Sequence, residues 1–321
     1  MKLSFDVKKQ KRFFQRKSQV VLIYGFLVVL AIVSGIMNQY FFTAGNLKNL
    51  VATSFPYILV AFGQTLVILT GGIDLSVGSI VSVSNAICAV LMTQTPGGFI
   101  AGFTTAAMTG IAVGAINGIL VTKGMIQPII VTLATQTAVS GAALAILTAP
   151  GGTTNYAFAA AMSGKFAGIP VSLLLLAVVT VFMWVLLNKT RFGISVYAIG
   201  GNEDAAYSTG ITVGRKKIAV YTLSGFLSAL AGIFLSSQMY SGDPRVGVNL
   251  TMTSITTVVI GGTALSGGKG GIIGSLAGVF ILVIINNLLN LINVSSFYQY
   301  VLQGGILILA IAIGSIRTRR A

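Results

Sequence analysis

Ten apolar runs of fourteen to twenty-three residues, joined by short polar links, fill the chain from Val20 to Ile316. They are Val20–Met37, Phe55–Thr70, Val77–Met92, Phe99–Val121, Pro128–Thr148, Pro170–Leu187, Ile218–Tyr240, Met252–Leu265, Ile272–Leu289 and Val301–Ile316. A bilayer core about 30 Å thick takes roughly 20 helical residues. Inside hydrocarbon each backbone polar group must be satisfied within its own segment, so the runs are read as helices. Only 8% of the 321 residues are charged, against about 25% in an ordinary soluble domain. The chain is therefore expected to be an all-α integral membrane protein of about ten transmembrane helices. Residues 1–19 form a basic tail, 20–316 a single membrane domain, and 317–321 a second tail. The longest polar loop runs from Asn188 to Lys217.

Charge sets the orientation. Lys8, Lys9, Lys11, Arg12, Arg16 and Lys17 precede the first run. A secretory signal also starts basic, but this run is long for one and no Ala-x-Ala site follows it. It is read as a retained helix. With the amino terminus inside, seventeen of the twenty Lys and Arg residues fall on the cytoplasmic side; only Lys48, Lys165 and Arg245 lie outside. Adding or dropping a span would spoil that asymmetry. Both termini are expected in the cytoplasm of a plasma-membrane protein. The net charge of +15 is then a sign of orientation beside membrane lipid and not of nucleic-acid binding.

The residue inventory removes whole classes of chemistry. The chain has no histidine, one cysteine (Cys88) and five acids: Asp6, Asp74, Glu203, Asp204 and Asp243. A disulfide framework, a Cys/His zinc site, His-ligated haem and a His-based triad are all excluded. No metal site and no catalytic residue is expected. Gly262 and Gly267 have phosphate-loop spacing, but Gly268 stands where the lysine belongs and Lys269 is one place late.

Two inner loops look alike. Gly71-Gly72-Ile73-Asp74-Leu75-Ser76-Val77-Gly78 aligns without a gap on Gly261-Gly262-Thr263-Ala264-Leu265-Ser266-Gly267-Gly268. Duplication, with paired broken helices lining a path, competes with chance likeness of glycine turns. Asp74 suits a helix start, where a carboxylate accepts backbone N–H bonds. A proton relay is the sharper alternative, but no second membrane carboxylate is present to pass the proton on.

Polar residues fall on single helix faces. Thr132, Gln136 and Ser140 repeat every four residues; Asn286, Asn290 and Asn293 follow i, i+4, i+7, with Asn287 alongside. Gln64, Asn85 and Asn117 are further intramembrane amides. Such groups avoid lipid. They line a path for an uncharged, hydroxyl-rich solute, or they bond helix to helix. The small residues Gly110, Gly114 and Gly118, and Ser224, Ser228 and Gly232, are read as packing stripes.

Within the long loop, Asn202-Glu203-Asp204-Ala205-Ala206-Tyr207-Ser208-Thr209-Gly210 has the grammar of a short helix. Asn202 suits the N-cap, Glu203 and Asp204 suit the first turn, Ala205 and Ala206 favour helix, and Gly210 suits the stop. A surface helix there is a natural docking element for a cytoplasmic partner.

Three stretches carry a resemblance: Thr65 through Ser79, Tyr197 through Glu203, and Val259 through Gly270, with Thr190-Arg191-Phe192-Gly193 in support. By these the chain is similar to the inner-membrane permease subunits of bacterial ABC importers for monosaccharides, the ribose-type permeases. The resemblance implies the importer permease fold with pseudo-repeated halves. It also implies a non-catalytic pore made with a second permease copy, identical or paralogous. Two separate ATPase subunits would bind ATP and Mg, and a periplasmic or lipid-tethered sugar-binding protein would deliver the solute. Family members usually read Asn-Glu-Ala-Ala in the docking helix; here Asp204 replaces the first alanine. Ribose is the expected solute. The rival class, a self-sufficient proton-coupled transporter, lacks paired membrane carboxylates.

Overall fold

The computed structural model describes residues 2–295, 297–299, 301–305 and 308, with side chains from residue 20 onward. The tenth expected span, Val301–Ile316, and the tail 317–321 lie largely or wholly outside the described residues. The long helices are α1 (Lys2–Met37), α2 (Ala44–Leu69), α4 (Pro96–Thr122), α5 (Pro128–Ile146), α7 (Val171–Lys189), α10 (Val213–Met239) and α12 (Ile272–Leu291). These seven are long and apolar enough to cross a membrane.

Two expected spans are short helices. α3 (Val77–Leu91) has 15 residues and α11 (Leu250–Ile260) has 11, so they reach about 22 Å and about 16 Å at 1.5 Å per residue. α11 ends five residues before the expected Leu265 because the chain turns at Gly261 and Gly262. The Asn188–Lys217 stretch is mostly helical, with α8 (Arg191–Gly201) and α9 (Glu203–Ser208). On the opposite end of the bundle lie α6 (Tyr156–Ser163) and a two-residue hairpin, β1 (Lys165–Phe166) with β2 (Ile169–Pro170).

The core gathers on α2, α3, α10 and α12, where Ile58, Phe62, Leu66, Val81, Leu227 and Val279 are buried together. α4 lies close on α10. A Cβ on Gly225 would strike the Gly110 backbone, and one on Gly114 would strike Tyr221, so these glycines set the helix separation. α1 rests on α12, where the Tyr24 hydroxyl donates to the Ile273 carbonyl at 3.1 Å. At the far end Asn46 and Asn287 exchange amide hydrogen bonds of 3.0 and 2.8 Å and tie α2 to α12.

Candidate functional site

α9 is built by its caps. Asn202 is extended (φ −163°, ψ 114°), and its Oδ1 accepts the Ala205 N–H at 2.8 Å. The helix closes on Gly210 at φ +84°. The Gly210 N–H donates to Tyr207 and the Ile211 N–H to Ala206, which is the paired bonding of a Schellman end. Ala206 is buried with Ile199 and Val213, so α9 is pinned to α8 and α10 on one side. On that side Lys217 of α10 also pairs with Glu203. Asp204, Ala205 and Tyr207 face outward, with Tyr207 73% exposed.

α8 leads from α9 into the two glycine loops. The Gly268 N–H donates to the Leu69 carbonyl at 3.0 Å, so the end of α2 is bonded directly to the loop after α11. Gly200 sits on that contact. A Cβ there would lie 2.5 Å from the Gly268 nitrogen and closer still to the Leu69 oxygen. The Tyr197 hydroxyl donates to the Gly270 carbonyl at 2.9 Å, and Gly267 abuts Gly200 and Gly71. All three stretches that carry the resemblance thus meet at one point beside α9.

The loops share a helix end, but not in the ungapped register. Gly71 (φ +79°) and Gly262 (φ +81°) are the left-handed residues. Gly71 donates to Ile68 and Gly72 to Val67; Gly262 donates to Val259 and Thr263 to Val258. Gly71 therefore matches Gly262, and Gly261 matches Thr70. The Gly-Gly pairs look aligned only because the second loop has an extra glycine before its left-handed turn. From there the loops part: seven residues separate α2 from α3, eleven separate α11 from α12.

Asp74 is wholly buried in the first loop. Its Oδ1 accepts the Ser76 N–H at 2.9 Å and the Ser76 hydroxyl at 2.6 Å; its Oδ2 accepts the Ser224 hydroxyl at 3.2 Å. Among the described residues no Lys or Arg pairs with it. The carboxylate holds the turn at Ser76, the residue that precedes α3, and also ties that turn to α10. Gly78, at the start of α3, receives the Thr251 side chain of α11 at 3.2 Å as acceptor of its N–H.

The intramembrane polar residues separate into two groups. Asn85 is buried, donates to the Gly232 carbonyl at 3.3 Å and accepts the Asp243 N–H at 2.7 Å. Asn117 is buried between Ser76 and Thr135, and Thr132 donates to the Ile73 and Pro128 carbonyls. Asn290 is exposed and accepts from Gln299. Gln64 is different: it is fully buried, yet among the described residues neither end of its amide has a partner. Gln136, Ser140 and Asn286 are half-buried. Asn293 is off the expected helix face, because α12 ends at Leu291 and Asn293, at φ +60°, closes it as Gly210 closes α9. Four residues of the junction and the Asp74 cluster escape the sequence reading as site residues: Leu69, Tyr197, Thr135 and Ser224. A backbone carbonyl such as that of Leu69 leaves no residue-type signal. Thr135, three places after Thr132, does.

Residues 46–311 match the family described as the permease component of a branched-chain amino acid transport system. The chain is 44% identical to the ribose import permease protein of Bacillus subtilis over 288 residues, 89% of each chain. It is 37% identical to the ribose import permease protein of Escherichia coli K12 over 304 residues, 93% of each. To the D-allose transport system permease protein of the same strain it is 35% identical, covering 90% of each. With the family matched over most of its length, and its seven long apolar helices, the chain belongs to this family of multi-pass transport-system permeases.

Proposed function

We propose that the chain is the membrane subunit of an ATP-driven monosaccharide importer in the bacterial inner membrane, with ribose its solute and both termini in the cytoplasm. The relatives named for ribose and allose cover nine-tenths of the chain and favour a sugar over an amino acid. The chemistry agrees. A zwitterion calls for charged partners, whereas the unpartnered and half-buried groups here are the neutral Gln64, Gln136, Ser140 and Asn286. In this reading those four line the path. Asn85, Asn117, Thr132 and Asn290 are held by other contacts and position it.

The observation that carries the coupling is the position of α9, capped at both ends, exposed on one side and packed on the other against α8 and α10, with Gly200 of α8 set in the junction of both glycine loops. Two partner ATPase subunits hold ATP and Mg, and this helix fits into a cleft on one of them. Asp204 and Tyr207 meet that subunit, while Glu203 stays with Lys217. Movement of α9 passes through Gly200 to the ends of α2 and α11. A second permease copy completes the pore, and a sugar-binding protein delivers solute at the α6 end.

The test is reconstitution. The chain with its ATPase and binding protein should take up ribose only with ATP, and the chain alone should hydrolyse none. Gly210→Val, and the pair Glu203→Ala with Asp204→Ala, should leave the permease in the membrane but reduce ATPase co-purification and solute-stimulated hydrolysis. Uptake by the chain alone under a pH gradient would return it to the proton-coupled class.

A further inference from the structure

We infer that a chain of five side chains, Ser224–Asp74–Ser76–Asn117–Thr135, transmits movement of α10 to α5; this inference rests on the importer reading above. The links are continuous. Ser224 of α10 donates to Asp74 Oδ2 at 3.2 Å, and Ser76 donates to Asp74 Oδ1 at 2.6 Å. The Asn117 Nδ2 of α4 donates to the Ser76 oxygen at 2.8 Å. Thr135 of α5 donates to the Asn117 Oδ1 at 2.7 Å. Every donor in the series points toward the carboxylate, so each bond polarises the next. Asp74, Ser76, Asn117 and Ser224 are fully buried.

The two ends of this series give it a direction. α10 carries Lys217 and Val213, which hold α9 through Glu203 and Ala206. α5 carries Gln136 and Ser140, one and five residues beyond Thr135. The coupling helix and the helix of the proposed path are therefore joined through a continuous series of polar bonds inside the bundle. The Thr135 hydroxyl also reaches the Val131 carbonyl of its own helix at 3.0 Å, so it is the fully buried Asn117 Oδ1 that loses its donor when this link breaks, and leaving a buried acceptor without a donor is costly. Apolar contacts between the same helices can slide; these bonds must move together or break. The carboxylate at the centre is the fixed point, accepting three bonds from two directions. In this account Asp74, Asn117 and Thr135 are positioning residues that never touch the solute.

The experiment uses the full complex of permease, ATPase and binding protein in liposomes, with Cys88→Ser throughout and Ala138→Cys as a reporter on the exposed side of α5. Thr135→Val, Ser224→Ala, the double variant and Thr135→Ser are compared. Ribose carried per ATP hydrolysed should fall roughly three- to tenfold in Thr135→Val, the scale of one lost net hydrogen bond acting on coupling. ATPase stimulation should persist. Thr135→Ser should restore the ratio, and the double variant should lose little more than the worse single one, because both cut one series. The ATP-dependent change in thiol labelling of Ala138→Cys should vanish in Thr135→Val and return in Thr135→Ser. A labelling change that survives Thr135→Val, or an unchanged ratio accompanied only by a lower Tm, overturns the link. Because labelling needs no solute, a complex that fails to carry ribose but shows the labelling pattern overturns the sugar assignment and leaves the link standing.

Discussion

The loops after α2 and after α11 begin with the same left-handed glycine and end in different physics. The first is short and held by side chains: Asp74 gathers Ser76 and Ser224, and Asn117 joins from α4. The second is longer, has Ala264 and Leu265 where the first has its acid, and is held by close backbone approach together with bonds to backbone groups, from Gly268 to Leu69 and from Tyr197 to Gly270. A Cβ on Gly261 would lie 2.5 Å from the Gly274 carbonyl carbon and oxygen of α12, and Gly278 lies as close on Thr257. Likeness of sequence thus marks a shared way of stopping a helix, after which one loop is centred on a buried carboxylate and the other on close approach of glycine backbone. The two should respond oppositely to added volume and to lost polarity.

The largest effect is expected from volume in the second loop. Gly261→Val would drive a branched side chain into the α12 backbone, which has no flexible end to give way. We expect a loss of about 3 kcal/mol or more, the upper end for overpacking, and little folded protein in the membrane. Fluorescence-detected size exclusion of the solubilised chain reads this directly. A monodisperse peak at wild-type level would show that α11 and α12 separate at small cost and would erase the contrast between the loops.

Loss of polarity should strike the first loop. Asp74→Ala strands the Ser76 and Ser224 hydroxyls and the Ser76 N–H in a buried place. A cost of about 2–3 kcal/mol follows from unsatisfied buried donors, seen as a lower Tm of the purified chain. Asp74→Asn keeps one acceptor oxygen and should cost less, about 1–2 kcal/mol. Leu265→Ala in the second loop, which removes no hydrogen-bonding group, should fall below both. Equal losses at Asp74 and Leu265 would mean that the carboxylate packs and nothing more.

How much of this is legible without coordinates depends on the range of the force. The α9 helix is legible at both ends because caps are local: Asn202 bonds three residues ahead, and Gly210 needs only its own φ. The long apolar helices are legible because the bilayer imposes their length. α8 is hidden inside what reads as a polar loop: its last two residues are Gly200 and Gly201, and Gly200 is there for Leu69, far away in sequence. The same distance hides the role of Ser224, which resembles a packing residue until Asp74 is found beside it. Amide patterning finds polar groups but cannot sort Asn117, satisfied by two neighbours, from Gln64, satisfied by none. Periodicity also carries Asn293 past the end of α12, where its left-handed conformation has a capping use.

The smallest expected effects test the register itself. Among the described residues beyond its chain neighbours, Gly71 has no atom within 4 Å of a would-be Cβ, and Gly262 has only the tip of Ile23 at 3.4 Å. At both, alanine meets backbone strain alone. We expect about 1 kcal/mol from Gly71→Ala and the same from Gly262→Ala. Asparagine tolerates the left-handed region, as it does at Asn293 in this chain, so Gly71→Asn and Gly262→Asn should each recover most of that loss. Gly261 has φ −65° and no such strain, so asparagine there should be no better than alanine, both being limited by the α12 backbone. Tm shifts for the six variants separate the alternatives. If Gly261, and not Gly262, shows the asparagine rescue, the loops match in the ungapped register. The structural pairing of Gly71 with Gly262 would then be wrong, and with it the claim that the loops share no more than a helix stop.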